Sequence, residues 1–128
     1  MKLDLLLFAQ DGVLAGSQPG QDVFLALLKE TANSPVPAVV FLDFSGVMVA
    51  TGSFLRESVI AYRNHLRVNC SMLYPVIANA SQAVLEELTM LLQLRNDAFV
   101  VCSLGSGDVV SSPRVLGVVD GKQQDALR

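Results

Sequence analysis

The chain has 128 residues, of which 52% are hydrophobic and 16% are charged, and its formal net charge is −3. This length fits one domain with a filled core, and the lack of a basic cluster argues against direct binding of nucleic acid. No stretch approaches the roughly 20 apolar residues of a membrane span, so we expect a cytoplasmic protein with no membrane partner.

The apolar content is high for a small monomer. It indicates either that a partner, a second domain or a dimer contact covers part of the surface, or that parallel strands are buried on both faces.

His65 is the only histidine, and Cys70 and Cys102 lack Cys-x-x-Cys spacing. These residues predict no metal site. No Walker A lysine follows a glycine loop, and the loop at Gly105 has Val110 where a dinucleotide fingerprint needs glycine, so we expect no cofactor.

The first third of the chain predicts a hairpin followed by a helix. Residues 3–9 read as a strand, Asp11-Gly12 as a turn and residues 13–15 as a return strand. Ser17 is a plausible N-cap for a helix that runs to about Glu30 and is ended by prolines.

Residues 38–44 form the predicted central strand. The run Val39-Val40-Phe41-Leu42 does not alternate with polar residues, which is typical of a strand covered on both faces. A helix should begin near Ser53, with a core-facing stripe at helical spacing: Leu55, Val59, Tyr62 and Leu66.

The remaining pattern continues the alternation of strands and helices. Residues 72–78 predict a strand with an irregular or unpaired point at Pro75. Residues 79–81 then cap a helix that runs to about Arg95, and the predicted buried face of this helix is Val84, Leu88, Leu91 and Leu92. Residues 98–104 form a further buried strand, residues 105–108 a turn, and residues 109–110 and 114–119 are extended.

At the end of the chain, Asp120 and Gln123 have the spacing of a capping box. We therefore expect one domain over residues 1–119, and in residues 120–128 the start of a helix that leads to a further domain or tail. The element order predicts an α/β fold with a mostly parallel sheet, made mixed by the N-terminal hairpin, with helices packed on it.

The central segment resembles a known family. Asp43-Phe44-Ser45-Gly46-Val47, followed by a small polar loop and Ser53-Phe54-Leu55-Arg56-Glu57, is similar to STAS domains, which include the anti-sigma factor antagonists, and more closely to the STAS-like family DUF4325. The resemblance covers roughly residues 3–119. It implies a STAS-like fold and a regulatory, non-enzymatic role in bacterial signalling or transcription control.

In antagonists of this family the loop reads Asp-Ser-Ser-Gly, and a partner kinase phosphorylates the first serine. The matching residues here are Thr51-Gly52-Ser53-Phe54. The phospho-acceptor position therefore falls on Gly52, which has no hydroxyl, and Thr51 and Ser53 lie on either side of it. A phosphate on Ser53 would be favoured at a helix N-terminus, but Ser53 also fits an ordinary N-cap.

Two sets of candidate site residues follow. The preferred set binds another protein, or another domain of the same chain, and consists of Thr51, Gly52, Ser53, Phe54, Arg56 and Glu57. The alternative is a small-ligand or nucleotide sensor that uses the loops at the carboxyl ends of the strands, with Asp43, Asn79, Ser81 and Ser106. Phe54 either fills the core beneath the helix, which we favour, or anchors a partner. No acid–base or nucleophile pair can be assembled, so we expect no enzymatic activity.

Overall fold

The computed structural model describes residues 1–118. The strands are β1 (Lys2–Asp4), β2 (Val13–Leu14), β3 (Ala38–Asp43), β4 (Val49–Ala50), β5 (Leu73–Ala78), β6 (Ala98–Leu104) and β7 (Val110–Gly117). The helices are α1 (Ser17–Thr31), α2 (Gly52–Asn69) and α3 (Gln82–Leu94). Helix α2 consists of an α-helical turn at Gly52–Leu55, a π-helical turn at Arg56–Ile60 and an α-helical part at Ala61–Asn69. Two short 3₁₀ helices span Leu5–Phe8 and Ser106–Asp108.

The main sheet has five strands in the order β1-β3-β5-β6-β7. The first four are parallel, and β7 runs antiparallel to β6. The predicted α/β class with a mostly parallel sheet is therefore confirmed, as is the interior position of β3. Within residues 1–118, no helix is long and apolar enough to span a membrane.

The three helices lie on one face of the sheet. The chain passes from β1 to β3, β5 and β6 in one direction, so crossovers of a single hand place every connecting helix on the same side. On that side Val40, Leu42 and Ile77 are buried. The helices also contact each other, with α2 between α1 and α3.

The opposite face is open, which corrects the prediction that residues 38–44 are covered on both sides. Val39 is 39% exposed, Tyr74 50% and Val100 40%. We use the name open face for the apolar side chains that alternate outward from these strands and from β7: Val39, Phe41, Tyr74, Val76, Val100 and Val115. The unbroken apolar run therefore reflects an uncovered apolar face rather than a second helical layer.

The predicted N-terminal hairpin is reduced to its turn. Gln10 and Val13 form a single antiparallel bridge around Asp11-Gly12, with backbone hydrogen bonds of 3.0 and 2.9 Å, but residues 5–9 are not a strand. β1 ends at Asp4, whose carboxylate accepts a hydrogen bond of 3.1 Å from Leu6 N and caps the Leu5–Phe8 3₁₀ helix. β2 pairs in parallel with β4 in a separate two-stranded ladder. The antiparallel strand that makes the main sheet mixed is β7, at the other end of the chain.

The core-facing stripe of α2 is confirmed, since all four of its predicted residues are buried. The Tyr62 hydroxyl lies 2.9 Å from Thr31 Oγ1 of α1, and this contact satisfies both buried groups. Gly20 lets α1 approach α2 closely, because a Cβ atom at this position would lie 2.8 Å from Phe54 O. On α3, Val84, Leu88 and Leu92 are buried and Leu91 is partly buried.

The irregularity predicted at Pro75 is present. β5 pairs with β3 along six residues but with β6 only at Ile77 and Ala78. β7 is a single strand where the sequence predicts two extended pieces. The predicted helix start at residues 120–128, and its Asp120–Gln123 capping box, lie outside the described residues.

Candidate functional site at the carboxyl edge of the sheet

The carboxyl ends of the parallel strands meet at one edge of the sheet, where ligands and partners commonly bind in α/β folds. Asp43 ends β3, and Asn79 directly follows β5. The Asp43 carboxylate accepts hydrogen bonds of 3.0 Å from Asn79 Nδ2 and from Ser45 N. Asn79 Oδ1 in turn accepts from Leu104 N at 2.8 Å. The structure therefore unites two of the predicted ligand-edge residues in a bridge across the ends of β3, β5 and β6.

The Asn79 backbone has a φ of 59°, in the left-handed region that asparagine tolerates better than most residues. Burial acts to raise the pKa of Asp43, but hydrogen bonds from Asn79 and Ser45, together with the charge of Lys2, outweigh it and hold the pKa below its ordinary value. Asp43 is thus a charged carboxylate whose Oδ1 atom accepts both of these hydrogen bonds.

The other two predicted ligand-edge residues serve different purposes. Ser81 caps α3 by accepting from Val84 N at 3.2 Å, and it donates to Met48 O at 3.1 Å. Ser106 is exposed in the 3₁₀ helix after β6, where the described residues give it no side-chain hydrogen bond to Asp43, Asn79 or Ser81. The four residues therefore do not converge on a single ligand.

Thr51, rather than Ser53, caps α2. Its Oγ1 atom accepts from Phe54 N at 3.3 Å and also from Gly16 N at 3.1 Å. Ser53 lies in the first turn, with its hydroxyl 3.3 Å from that of Thr51. The N-cap role proposed for Ser53 is therefore wrong, because the helix begins at Gly52 and its N-cap, Thr51, lies two residues before Ser53. Thr51 also ties the start of the helix to the turn before α1.

The surroundings of Gly52 disfavour a phosphate group at this position. A Cβ atom there would lie 3.5 Å from Glu87 Oε2 of α3 and 3.8 Å from Leu91 Cδ2. A small side chain fits, but a phosphoryl group attached to it would meet the Glu87 carboxylate, and like charges at this distance repel.

Phe54 is buried in the core, as the favoured interpretation had it, and so it is not available as an anchor. Arg56 and Glu57 are partly exposed and form an ion pair of 3.3 Å with each other. Of the six predicted partner-binding residues, Thr51, Gly52, Ser53, Arg56 and Glu57 are thus only partly accessible, between α1 and α3.

Sequence reasoning missed the more exposed feature of this edge. We name it the edge patch: Leu6, Leu7, Phe8, Val13, Met48 and Val49, all exposed. Val13 and Val49 are register partners in the β2–β4 ladder. Gly12 lies against Met48, and Gly46 lies against Leu6, which joins the segments into one surface. The signal that could have found it is the Leu5-Leu6-Leu7-Phe8 run directly after Asp4, a residue that favours helix caps.

A small cavity also lies at this edge. It has a volume of about 170 Å³, and among its lining residues are Asn79, Cys102, Ser103 and Arg114. Within the part of the chain that the structure describes, no three His, Cys, Asp or Glu side chains cluster so as to hold a metal ion. Comparison of the chain with protein-family models, with curated proteins and with solved structures found no match.

Proposed function

We propose that this chain is a non-enzymatic, STAS-like protein-interaction domain that docks through the edge patch and the neighbouring start of α2. The observation that carries the proposal is the edge patch itself. Single exposed apolar residues are ordinary, but six on adjoining segments form a continuous surface of the kind that partners cover. Leu7 is 79% exposed and Met48 65%.

The polar groups near the patch support a binding role rather than a catalytic one. Asp43 and Asn79 are engaged with each other and with the backbone, and Thr51 and Ser81 cap helices. Arg56 and Glu57, on the partly exposed side of α2, supply polar groups of the kind found at the rim of an interface. The occupant is another protein, or another domain of the same chain, that presents a complementary apolar surface.

Regulation by phosphorylation at the family's usual position is not part of this proposal. Gly52 offers no hydroxyl, and a Cβ atom placed on it would lie 3.5 Å from the Glu87 carboxylate, which disfavours a phosphate nearby. The likeness of residues 43–47 and 53–57 to STAS domains supports a role in bacterial signalling or transcription control in the cytoplasm.

The alternative, a small-ligand or nucleotide sensor at the same edge, has less support. Of the four predicted ligand-edge residues, only Asn79 lines the cavity of about 170 Å³, which is smaller than the roughly 300–1,000 Å³ of most ligand pockets. Both side-chain atoms of Asn79 that could contact a ligand are already hydrogen-bonded.

The test is an affinity purification from native lysate with four baits: the wild type, Leu7→Glu, Met48→Glu and the matched control Leu94→Glu. Leu94 is 84% exposed at the end of α3, outside the patch. We expect wild type and Leu94→Glu to recover the same protein, and the two patch variants to lose it. Equal recovery by all four baits contradicts the proposal.

A further inference from the structure

A groove opens where β5 and β6 separate. The two strands pair only at Ile77 with Val101 and at Ala78 with Cys102, near their carboxyl ends. Toward their amino ends they diverge at Pro75, which has no N–H to donate. The groove has a volume of about 320 Å³ and lies at the opposite end of β5 from the edge patch.

The walls of the groove are mostly apolar. Leu66 and Leu73 belong to the buried side, and Tyr74, Val76 and Val100 belong to the open face. The mouth of the groove is therefore continuous with exposed apolar surface, and a hydrocarbon chain lying in it would be removed from water.

Two arginines of α2 line the same groove, one helical turn apart. Arg63 is only 5% exposed; it donates to Ala98 O, pairs with Asp97 and lies 4.7 Å from the centre of the Phe99 ring. Its Nε atom is buried and has no hydrogen-bond partner within residues 1–118. A buried N–H donor without an acceptor raises the free energy of the folded state. An acceptor from outside the described residues would remove this penalty.

The charges around Arg63 also favour an anion. Asp97 is shared, because Arg67 Nη1 lies 3.7 Å from its Oδ1. Among residues 1–118, a single carboxylate thus forms ion pairs with both of these guanidinium groups. Burial and the positive charge of Arg67 lower the pKa of Arg63, whereas the negative charge of Asp97 raises it. The net effect is a lowered pKa, as expected where positive charge is incompletely balanced. The Arg67 side chain is 59% exposed, so a ligand in the groove has access to it.

We propose that this groove binds a medium-chain monocarboxylate, such as a fatty acid of about eight carbons. The carboxylate lies between Arg63 and Arg67, and the chain lies along Tyr74 and Val100. The groove volume is at the low end of small-molecule pockets, which suits a chain of medium length. The charge of the two arginines selects the acid over a neutral molecule of the same shape.

Titration calorimetry of the full chain with octanoate and with octanamide tests the proposal. We expect saturable binding of octanoate in the micromolar to low millimolar range and binding of octanamide at least about tenfold weaker, because a charged acceptor forms the stronger hydrogen bonds. No saturable binding of octanoate, or equal affinity for the two probes, overturns the proposal. A short apolar peptide with a free C-terminal carboxylate is the third probe, and tighter binding of the peptide than of octanoate overturns the choice of a fatty acid.

Two pairs of proteins locate the site. Arg67→Gln should weaken octanoate binding roughly three- to fivefold, as expected for an exposed ion pair, and leave octanamide binding unchanged. Val100→Trp should fill the groove and abolish binding, whereas Val39→Trp, equally exposed on the same open face but outside the groove, should bind as the wild type does. Unchanged octanoate affinity in both Arg67→Gln and Val100→Trp contradicts the site. Partner binding at the edge patch is independent of this result.

Discussion

The side chain of Asn79 donates a hydrogen bond of 3.0 Å to the Asp43 carboxylate and so joins the carboxyl ends of two neighbouring strands. The same side chain accepts from Leu104 N of β6. A single asparagine, placed by a left-handed backbone, thereby holds together the edge from which the α2 loop and the edge patch project.

Replacing Asn79 with alanine should destabilise the protein by about 2–3 kcal/mol, because the buried Asp43 carboxylate loses a donor. Alanine is also strained at a positive φ, so Asn79→Gly serves as the control that removes only the side chain. We expect Asn79→Gly to remain clearly less stable than wild type. Urea unfolding measures both variants, and a wild-type midpoint for Asn79→Gly would show that the bridge contributes nothing.

The lowered pKa of Asp43 predicts a pH dependence with a definite sign. A carboxyl whose folded pKa lies below the unfolded value, ordinarily 3.8, stabilises the folded state above that value, and this stabilisation is lost as the pH falls through the folded pKa. The free energy of unfolding of wild type should therefore fall more steeply between about pH 5 and about pH 2 than that of Asp43→Asn. Urea unfolding of both proteins across this pH range tests the prediction. Parallel curves of unfolding free energy against pH would contradict a lowered pKa for Asp43.

The close approach of α1 and α2 at Gly20 should not tolerate a methyl group. Gly20→Ala places Cβ 2.8 Å from Phe54 O, and we expect a loss of about 1–3 kcal/mol despite the better helix propensity of alanine. Gly52→Ala is the matched control, because its Cβ has ordinary contacts and its stability should stay the same or rise by up to about 1 kcal/mol. Thermal melts of the two variants that moved in the same direction would refute this packing.

The buried face of α3 can be tested with one substitution at two positions. Leu88 is fully buried, so Leu88→Ala should destabilise by about 2–5 kcal/mol. Leu94→Ala, on the exposed end of the same helix, should change stability by less than about 0.5 kcal/mol. Chemical denaturation compares them, and similar midpoints would mean that the helix packs with another face.

The sequence predicted the parts of the fold that rest on long periodic patterns. The stripe from Leu55 to Leu66 and the buried residues of α3 follow helical spacing, and β3 follows from its apolar run. Pro75 correctly marked a break in pairing, because a missing N–H is a local property that no tertiary contact can restore.

The errors have one local cause and two tertiary causes. Residues 5–8 have the composition of a strand, yet the Asp4 carboxylate turns them into a 3₁₀ helix, and this hid the edge patch. By residue type Ser53 is a slightly better N-cap than Thr51, and the tertiary contact from Gly16 N favours Thr51 instead. Whether one or both faces of β3 are covered depends on the order of the strands in the sheet. The order of strands and helices along the chain does not determine that spatial order.

The most direct measurement of the central claim is site-specific photo-crosslinking in cells, with benzoylphenylalanine introduced in turn at Leu7, Met48 and Leu94. A partner that docks on the edge patch should give one crosslinked protein that is shared by positions 7 and 48 and absent at position 94. Crosslinks that were equally frequent at all three positions, or that captured unrelated proteins at positions 7 and 48, would contradict the proposal that this edge of the sheet is the docking surface.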